Sequence, residues 1–184
     1  ALAALLVSST AQADGELDKI LSQFDKDRLA NFDKTRSEAL SEGLRGAPAD
    51  VEILTGALDG KPMPMDSGFD MTGTWKCRVI KVGGLLPLTP YGWFKCRVTD
   101  DGSGWSLEKI SGSQRLTGRF FTESETRLVF VGAGHVNNDP ARKYGSDPKE
   151  DQVAVVTRLG DNKIVLEFPA PQYESKLDIL LMER

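Results

Sequence analysis

The sequence predicts an α+β protein, in which N-terminal helices precede an antiparallel meander of about eight strands that closes, or nearly closes, into a β-barrel. Apolar residues recur at helical spacing from Asp14 to Leu58, and from Met71 onward the pattern changes to strand-like alternation broken by short turns. Closure of the meander is the simplest way to leave no strand edge exposed. With 184 residues, 40% of them apolar and 27% charged, the chain suits one domain with an appendage.

The chain divides into four segments. Residues 1–13 read as the remnant of a secretory signal peptide, because an apolar run is followed by the small-x-small cleavage signature of Ala11 to Ala13. A short apolar helix is the alternative. Residues 14–58 form the helical front, 59–70 a linker, and 71–184 the barrel domain. We therefore expect an exported protein, which in a Gram-negative bacterium would be periplasmic and exposed to oxidising conditions.

The helical front contains two apolar stripes that are out of phase across residues 25–27, where Asp25 is a candidate N-cap for a second helix. Gly46 and Pro48 should end this helical region, and Pro48 also suits the first turn of a further short helix that extends to Leu58. The linker is rich in Pro and Gly and has no periodicity.

Eight segments have the alternation or the apolar content of strands. They span residues 73–82, 91–99, 104–110, 114–122, 126–132, 152–159, 162–168 and 176–183. Between the fifth and the sixth segment, residues 133–151 form a polar stretch too long for a routine connection, and loops of this length are usually functional or disordered.

The motif K-C-R-V occurs twice and contains both cysteines. Cys77 and Cys96 fall on the apolar faces of two consecutive strands that should pair antiparallel, which predicts a disulfide between them. Closing the loop over these 19 residues is worth about 3 kcal/mol in the chain-entropy model. There is no C-x-x-C redox motif, and Cys and His are too few for a zinc site.

The opposite face of the same two strands carries Lys76, Arg78, Lys95 and Arg97. Like charges on adjacent strands repel, so such a face has acidic neighbours or an anionic ligand. Glu108 in the next strand is an available acid. Acidic neighbours are the favoured interpretation. The alternative, which stays open, is a site for a carboxylate, phosphate or anionic glycan, and the donors of the guanidinium groups suit it.

Several motifs together resemble an alphaproteobacterial family of exported proteins defined by a domain of unknown function, number 4893. They are D-K-D-R-L from Asp25, W-K-C-R-V-I-K-V-G from Trp75, F-K-C-R-V from Phe94, K-I-S-G-S-Q-R-L-T-G from Lys109, L-V-F-V-G from Leu128, Y-G at Tyr144, and F-P-A-P-Q-Y-E-S-K-L-D from Phe168. The resemblance covers nearly all of the mature chain and implies a helical front and a β-rich body. It implies no activity, substrate or catalytic residue. The family often has Tyr at the position of Trp75.

A second resemblance is to lipocalin-type, or calycin, barrels. Gly73-Thr74-Trp75 is a G-x-W motif at the start of an eight-strand meander, and in lipocalins an Arg near the end of the chain covers this Trp. Arg184 is the late candidate here. The likeness is an analogy of fold and carries no function.

Two further groups of polar residues have both a functional and a structural interpretation. Ser113, Gln114 and Arg115 follow the turn at Gly112 and offer donors to a sugar or an anion, or else they fasten neighbouring backbone. His135 is the only histidine and is expected in the long loop. With no G-x-S-x-G motif to accompany it, a solvated loop residue is favoured over a catalytic one.

The acids of the long loop do not form the twelve-residue calcium pattern, so an ordinary polar loop is favoured. They are Asp139, Asp147, Glu150 and Asp151. We therefore expect no metal and no cofactor. The net charge of −4 argues against nucleic-acid binding.

The functional expectation is a monomeric, non-enzymatic binding module for an anionic or amphipathic component of the cell envelope. Its candidate binding residues are Arg78, Arg97, Ser113, Gln114, Arg115 and Tyr144. One alternative is an envelope interaction factor that uses the helical front, residues 16–58, as its partner surface. The other is a cell-wall hydrolase, which would need convergent carboxyl groups with raised pKa values.

Overall fold

A computed structural model describes residues 10–66, 68–137 and 139–184, with side chains from Gly15 onward. It contains four helices, α1 (Thr10–Ile20), α2 (Gln23–Ala30), α3 (Phe32–Gly43) and α4 (Pro48–Leu58). Helix α1 begins inside the predicted signal peptide, and residues 1–9 of that segment lie outside the described part of the chain. None of the described helices has the length and apolar character needed to cross a membrane.

The break between the first two helices differs from the one expected at Asp25. Ser22 is the N-cap of α2, and its Oγ accepts a hydrogen bond from the Asp25 backbone N–H at 3.2 Å and donates one to Asp25 Oδ2 at 2.7 Å. The Ser22 side chain therefore caps the helix, and Asp25 lies in its first turn rather than before it. A second break, at Asn31, separates α2 from α3.

All eight predicted strands are present and form a closed antiparallel barrel in chain order. They are β1 (Gly73–Val82), β2 (Leu88–Asp100), β3 (Trp105–Lys109), β4 (Gln114–Ser124), β5 (Arg127–Val136), β6 (Asp151–Gly160), β7 (Lys163–Pro169) and β8 (Leu177–Glu183). The main differences are that β2 begins earlier and β5 ends later than predicted. His135 was expected in the loop, but it is a strand residue because β4 pairs with it at Arg115.

The helices pack on the outside of the barrel. Ala39, Leu54 and Ala57 of α3 and α4 form one apolar cluster with the outer faces of β1, β7 and β8. Leu17 of α1 packs on Val129, Val131 and Val153 of β5 and β6. These strands therefore carry apolar residues on their outer faces as well, although β1 also exposes Lys76 there, while β2 and β3 carry exposed polar residues outside.

One end of the barrel, which we call the lower end, is closed by the segment before β1. Met65, Phe69 and Met71 are buried there, and Trp75 Nε1 donates a hydrogen bond to the Met71 carbonyl at 2.9 Å. The Arg184 guanidinium lies 4.3 Å from the centre of the Trp75 ring and donates to the carbonyls of Asp70 and Thr72. The predicted pairing of Trp75 with Arg184 is therefore confirmed.

The predicted disulfide is also confirmed. Cys77 and Cys96 are bonded, with their Cα atoms 5.9 Å apart and both side chains fully buried inside the lower half of the barrel. Beside them the Phe130 ring packs edge-to-face on Phe120 and Phe168. Its tip fills the space over Gly118 and Gly132, which face each other across β4 and β5, so that a Cβ on Gly132 would lie 2.7 Å from Phe130 Cζ.

Candidate functional site

The upper end of the barrel is open. Because the strands alternate in direction, four connections meet there: residues 83–87, residues 110–113, the segment between β5 and β6, and residues 170–176. A cavity of about 670 Å³ lies at this end and is bordered by residues of the last three connections and of the strands below them. Its lower wall is apolar and consists of Val79, Phe94, Leu116, Phe168 and Leu180. A cavity of this size with apolar walls suits one small molecule.

The upper wall of the cavity is polar. Its residues occupy inward-facing positions of the strands, in the same alternation as the apolar residues below them. Lys81 and Asp178 are cross-strand neighbours that follow the inward Val79 and Leu180 pair. On the other strands Lys109 follows Leu107, and Gln152 precedes Ala154. The interior therefore changes from apolar to ionisable within two residues along several strands.

Lys109 is a buried charged group of the mouth, with 5% of its surface exposed. Its Nζ donates to the carbonyls of Ser111 at 2.9 Å and Gln114 at 2.6 Å, and lies 4.0 Å from the centre of the Phe94 ring. Burial first, and then the positive charge of Arg115, lowers the pKa of Lys109 to about 8. Since an ammonium has three protons, these two carbonyls leave one for an acceptor in the cavity.

Lys81 and Asp178 form the other side of the polar wall. Lys81 Nζ lies 2.8 Å from Glu174 Oε2. Burial alone would lower the pKa of Lys81, but the hydrogen bond to Glu174 and the charges of Asp178 and Glu174 outweigh it and raise that pKa. Burial raises the pKa of Asp178, against the hydrogen bond of 2.5 Å donated by Ser175 Oγ and the charge of Lys81. In the described ranges no three His, Cys, Asp or Glu side chains are grouped as metal ligands.

Three of the residues predicted from sequence lie at the rim of this cavity. Ser113 and Gln114 border it directly, and Arg115 borders it while its Nε donates to the Gly112 carbonyl at 2.6 Å. His135 also borders the cavity. Arg115 therefore fastens the turn, as the structural interpretation expects, while the binding of a sugar or an anion by Ser113 and Gln114 stays a prediction.

Arg78 and Arg97 are not brought to the mouth. Arg78 lies outside the barrel, 4.5 Å from the centre of the Trp93 ring, and Lys76 lies at the same distance from that ring. Arg97 is opposite Glu108 on the outer face, where it borders a second groove of about 620 Å³. The six candidate residues thus divide between the two faces of the sheet and do not form one site.

Tyr144 fastens the long loop to the helical front. Its hydroxyl donates to the Asp25 carboxylate and accepts a hydrogen bond of 3.0 Å from the Ser22 backbone N–H, and burial followed by the bond to Asp25 raises the pKa of Tyr144. Asp25 is buried in an ion pair of 2.7 Å with Arg28. Arg28 in turn donates to the carbonyls of Asp151 and Ala170, so one helix holds two of the connections around the mouth.

The residues that sequence reasoning missed are Lys81, Lys109, Gln152 and Asp178. Each shares a face with buried apolar residues two positions away, as in Trp75, Cys77, Val79 and Lys81. This continued alternation was the available signal. The prediction of faces extended only to the two K-C-R-V strands, where Lys76, Arg78, Lys95 and Arg97 oppose the cysteines.

Comparison with known proteins places the chain by sequence only. The family model described as "Domain of unknown function (DUF4893)" matches residues 18–182. No curated protein and no solved structure matches the chain.

Proposed function

The chain belongs to the family defined by this domain of unknown function, and we propose that it is a non-enzymatic protein that binds a small amphipathic molecule carrying an anionic group in the mouth of its barrel. One observation carries the proposal: the barrel is packed in its lower half and leaves a cavity of about 670 Å³ in its upper half, with an apolar wall beneath the buried ammonium of Lys109.

The two walls give the ligand a direction. Its apolar part would lie on Val79, Leu116 and Leu180, where each buried methylene group is worth roughly 0.8 kcal/mol. Its anionic group would accept the remaining proton of Lys109, and Gln114 at the rim adds a second donor. An anion would also restore the full charge of Lys109, which burial disfavours.

We further propose that the protein is exported to the periplasm of an alphaproteobacterium, and that its ligand is an envelope component. Two features support this location. The first thirteen residues have the composition and the A-Q-A signature of a signal peptide, and a buried disulfide suits an oxidising compartment.

The proposal is tested by titrating the protein with 11-(dansylamino)undecanoic acid and following its fluorescence. Lys109→Gln should weaken binding at least tenfold, because a hydrogen bond to a charged group is worth roughly 1.5–3 kcal/mol. Leu116→Trp should block binding by filling the cavity. Arg97→Gln removes the same charge from the outer face and should leave the affinity unchanged. Equal effects of Lys109→Gln and Arg97→Gln would refute the proposed site.

Native mass spectrometry of the mature protein from its own host tests for the natural ligand. An extra mass that disappears in a denatured, non-reduced control is the expected result. A bare mass, together with no binding of the dansyl probe, would contradict the proposal and favour the envelope interaction factor. That second candidate is supported by the helical front, where Phe24 is 54% exposed and Ile20 39% exposed.

A third candidate, the cell-wall hydrolase, is supported by a difference between two carboxyl groups at the mouth. Burial raises the pKa of Asp178, whereas the hydrogen bond from Lys81 lowers the pKa of Glu174. Carboxyl groups separated in this way can serve as acid and base. Release of reducing sugars from peptidoglycan by the natural protein, lost in Asp178→Asn, would favour this candidate over a binding module.

A further inference from the structure

The mouth of the barrel is ringed by exposed apolar side chains. Leu85 and Leu86 form the tip of the β1–β2 hairpin and are 79% and 58% exposed. Other exposed apolar residues on the elements around the opening are Leu44, Tyr91, Val136 and Tyr173. Exposed apolar patches rimmed by polar groups mark surfaces that contact a partner or a membrane.

The tip is held rigidly rather than left as a mobile loop. Gly83 N–H donates to the Pro87 carbonyl at 2.8 Å, Gly84 N–H to Glu42 Oε2 at 3.0 Å, and Leu85 N–H to the Glu174 carbonyl at 2.9 Å. Gly84 has a φ of +90°, and a Cβ there would lie 2.5 Å from the Glu174 carbonyl oxygen. The fold therefore holds the two leucines out in solvent, where they cannot turn back onto the barrel.

Below the tip, on the outer face, lies a group of cations around an aromatic ring. Trp93 is 41% exposed and has Lys76 and Arg78 each 4.5 Å from its centre, with Lys95 next to them opposite Lys76. Glu183 offsets Lys76 through an ion pair of 3.0 Å. These cations belong to the repeated K-C-R-V motif, and they gather positive charge in a chain whose net charge is −4.

The two groups follow one another along the barrel in the order of the layers of a lipid bilayer. Arg78 lies four residues before the end of β1, or about 13 Å along a strand. Because barrel strands tilt by about 40°, the height below the end of the strand is about 10 Å. The polar layer on each side of the hydrocarbon core is several Å thick, and aromatic rings and cations concentrate in it while leucines enter the acyl boundary.

We infer that the mouth end of the barrel docks on the surface of a bilayer that contains anionic lipids. Leu85 and Leu86 enter the acyl boundary, Trp93 and Arg78 lie at the outer side of the headgroup layer, and Lys95 lies further out, where anionic headgroups attract a cation over a distance of about 10 Å. A bilayer accounts for the order of leucine, aromatic ring and cation, which a second copy of this acidic chain would not require. The opening of the cavity lies at the same end, so a lipid-derived molecule could enter it directly. This membrane contact depends on the tip and the cations, and it shares only the mouth end of the barrel with the cavity. It therefore goes beyond the proposed function.

The experiment is co-sedimentation of the mature protein with vesicles of POPC alone and of POPC with 30% POPG, at low and physiological salt. We expect binding to the anionic vesicles that weakens with salt. Leu85→Asn/Leu86→Asn should lower the affinity for POPG vesicles at least tenfold. Arg78→Gln/Lys95→Gln should remove the preference for POPG over POPC. Phe24→Asn, at an exposed apolar position of the helical front, should bind like the natural protein, and so should Lys61→Gln, at an exposed cation before β1.

If the protein binds neither kind of vesicle, or if Leu85→Asn/Leu86→Asn leaves the affinity unchanged, the inference is overturned. So would a dimer in size-exclusion chromatography with light scattering that this double variant dissociates, because a second copy would then cover the tip. Each variant is also titrated with 11-(dansylamino)undecanoic acid without vesicles. Vesicle binding without probe binding would refute the proposed function alone, and probe binding without vesicle binding would refute the membrane contact alone.

Discussion

The two halves of this barrel are built from the same strands and differ in what their inward side chains do. In the lower half Trp75, Phe130 and the disulfide fill the interior, and Met65 and Phe69 close the end. In the upper half the inward positions pass to shorter or ionisable residues and a cavity opens. An eight-stranded barrel is just wide enough to be filled by side chains, so a change at a few inward positions converts a core into a binding site.

The largest expected effect is a difference in the free energy of unfolding between variants in the lower and the upper half of the barrel. Trp75→Ala removes a fully buried ring, and we expect it to lower the free energy of unfolding by about 3–5 kcal/mol. Leu116→Ala, at the wall of the cavity, should cost only about 1 kcal/mol because this half-buried side chain borders space that is already open. Urea denaturation at 25 °C measures both, and similar losses would mean that the upper half is packed like the lower.

Removal of the disulfide should weaken the lower half without altering the upper. Cys77→Ala/Cys96→Ala releases a cross-link over 19 residues, and we expect a loss of about 3 kcal/mol in the free energy of unfolding. The affinity for the dansyl probe should stay the same, since neither cysteine borders the cavity. A large drop in affinity would show that the two halves are coupled.

The pH dependence of the mouth should follow Lys109. This side chain holds its proton up to its ordinary pKa of 10.5 when unfolded, but only up to about 8 when folded. Between these pH values the unfolded chain binds more protons, so the contribution of Lys109 to the free energy of unfolding rises with pH. Binding of the anionic probe should weaken as pH rises through about 8. Measurements on Lys109→Gln supply the reference, and a parallel pH profile in that variant would assign the effect to another group.

The smallest effect on stability should come from the tip of the β1–β2 hairpin. Leu86 is 58% exposed, so Leu86→Ala should change the free energy of unfolding by no more than about 0.5 kcal/mol. The urea midpoint measures this. A loss above 1 kcal/mol would indicate that Leu86 packs on the barrel, and would weaken the interpretation of the tip as a contact surface.

Much of the lower half could be predicted because its signals are local. Alternation placed Cys77 and Cys96 on inward faces, and short turns paired their strands, so the disulfide followed. Lys109 shares the inward face of Leu107, but its burial was not predicted from sequence. Its burial depends on the carbonyls of Ser111 and Gln114, which the next turn brings around the ammonium.

The division of the candidate residues shows where chemistry alone misled the prediction. Arg78 and Arg97 were grouped with Gln114 and Arg115 because all offer donors to an anion. The register of β1 with β2 places the first two outside, whereas Gln114 and Arg115 lie at the rim. Residue types alone do not show whether two segments that are distant in sequence lie on the same side of a closed sheet.

By itself the sequence determined the order of the strands after the helical front, the disulfide, and the two faces of the K-C-R-V strands, because periodicity and turn chemistry act over a few residues. Only the tertiary structure decided that the barrel is filled at one end and open at the other. That outcome depends on the summed volume of side chains from all eight strands and on four connections that meet at one rim. The packing of α2 against two of those connections was likewise decided by contacts between residues more than a hundred positions apart.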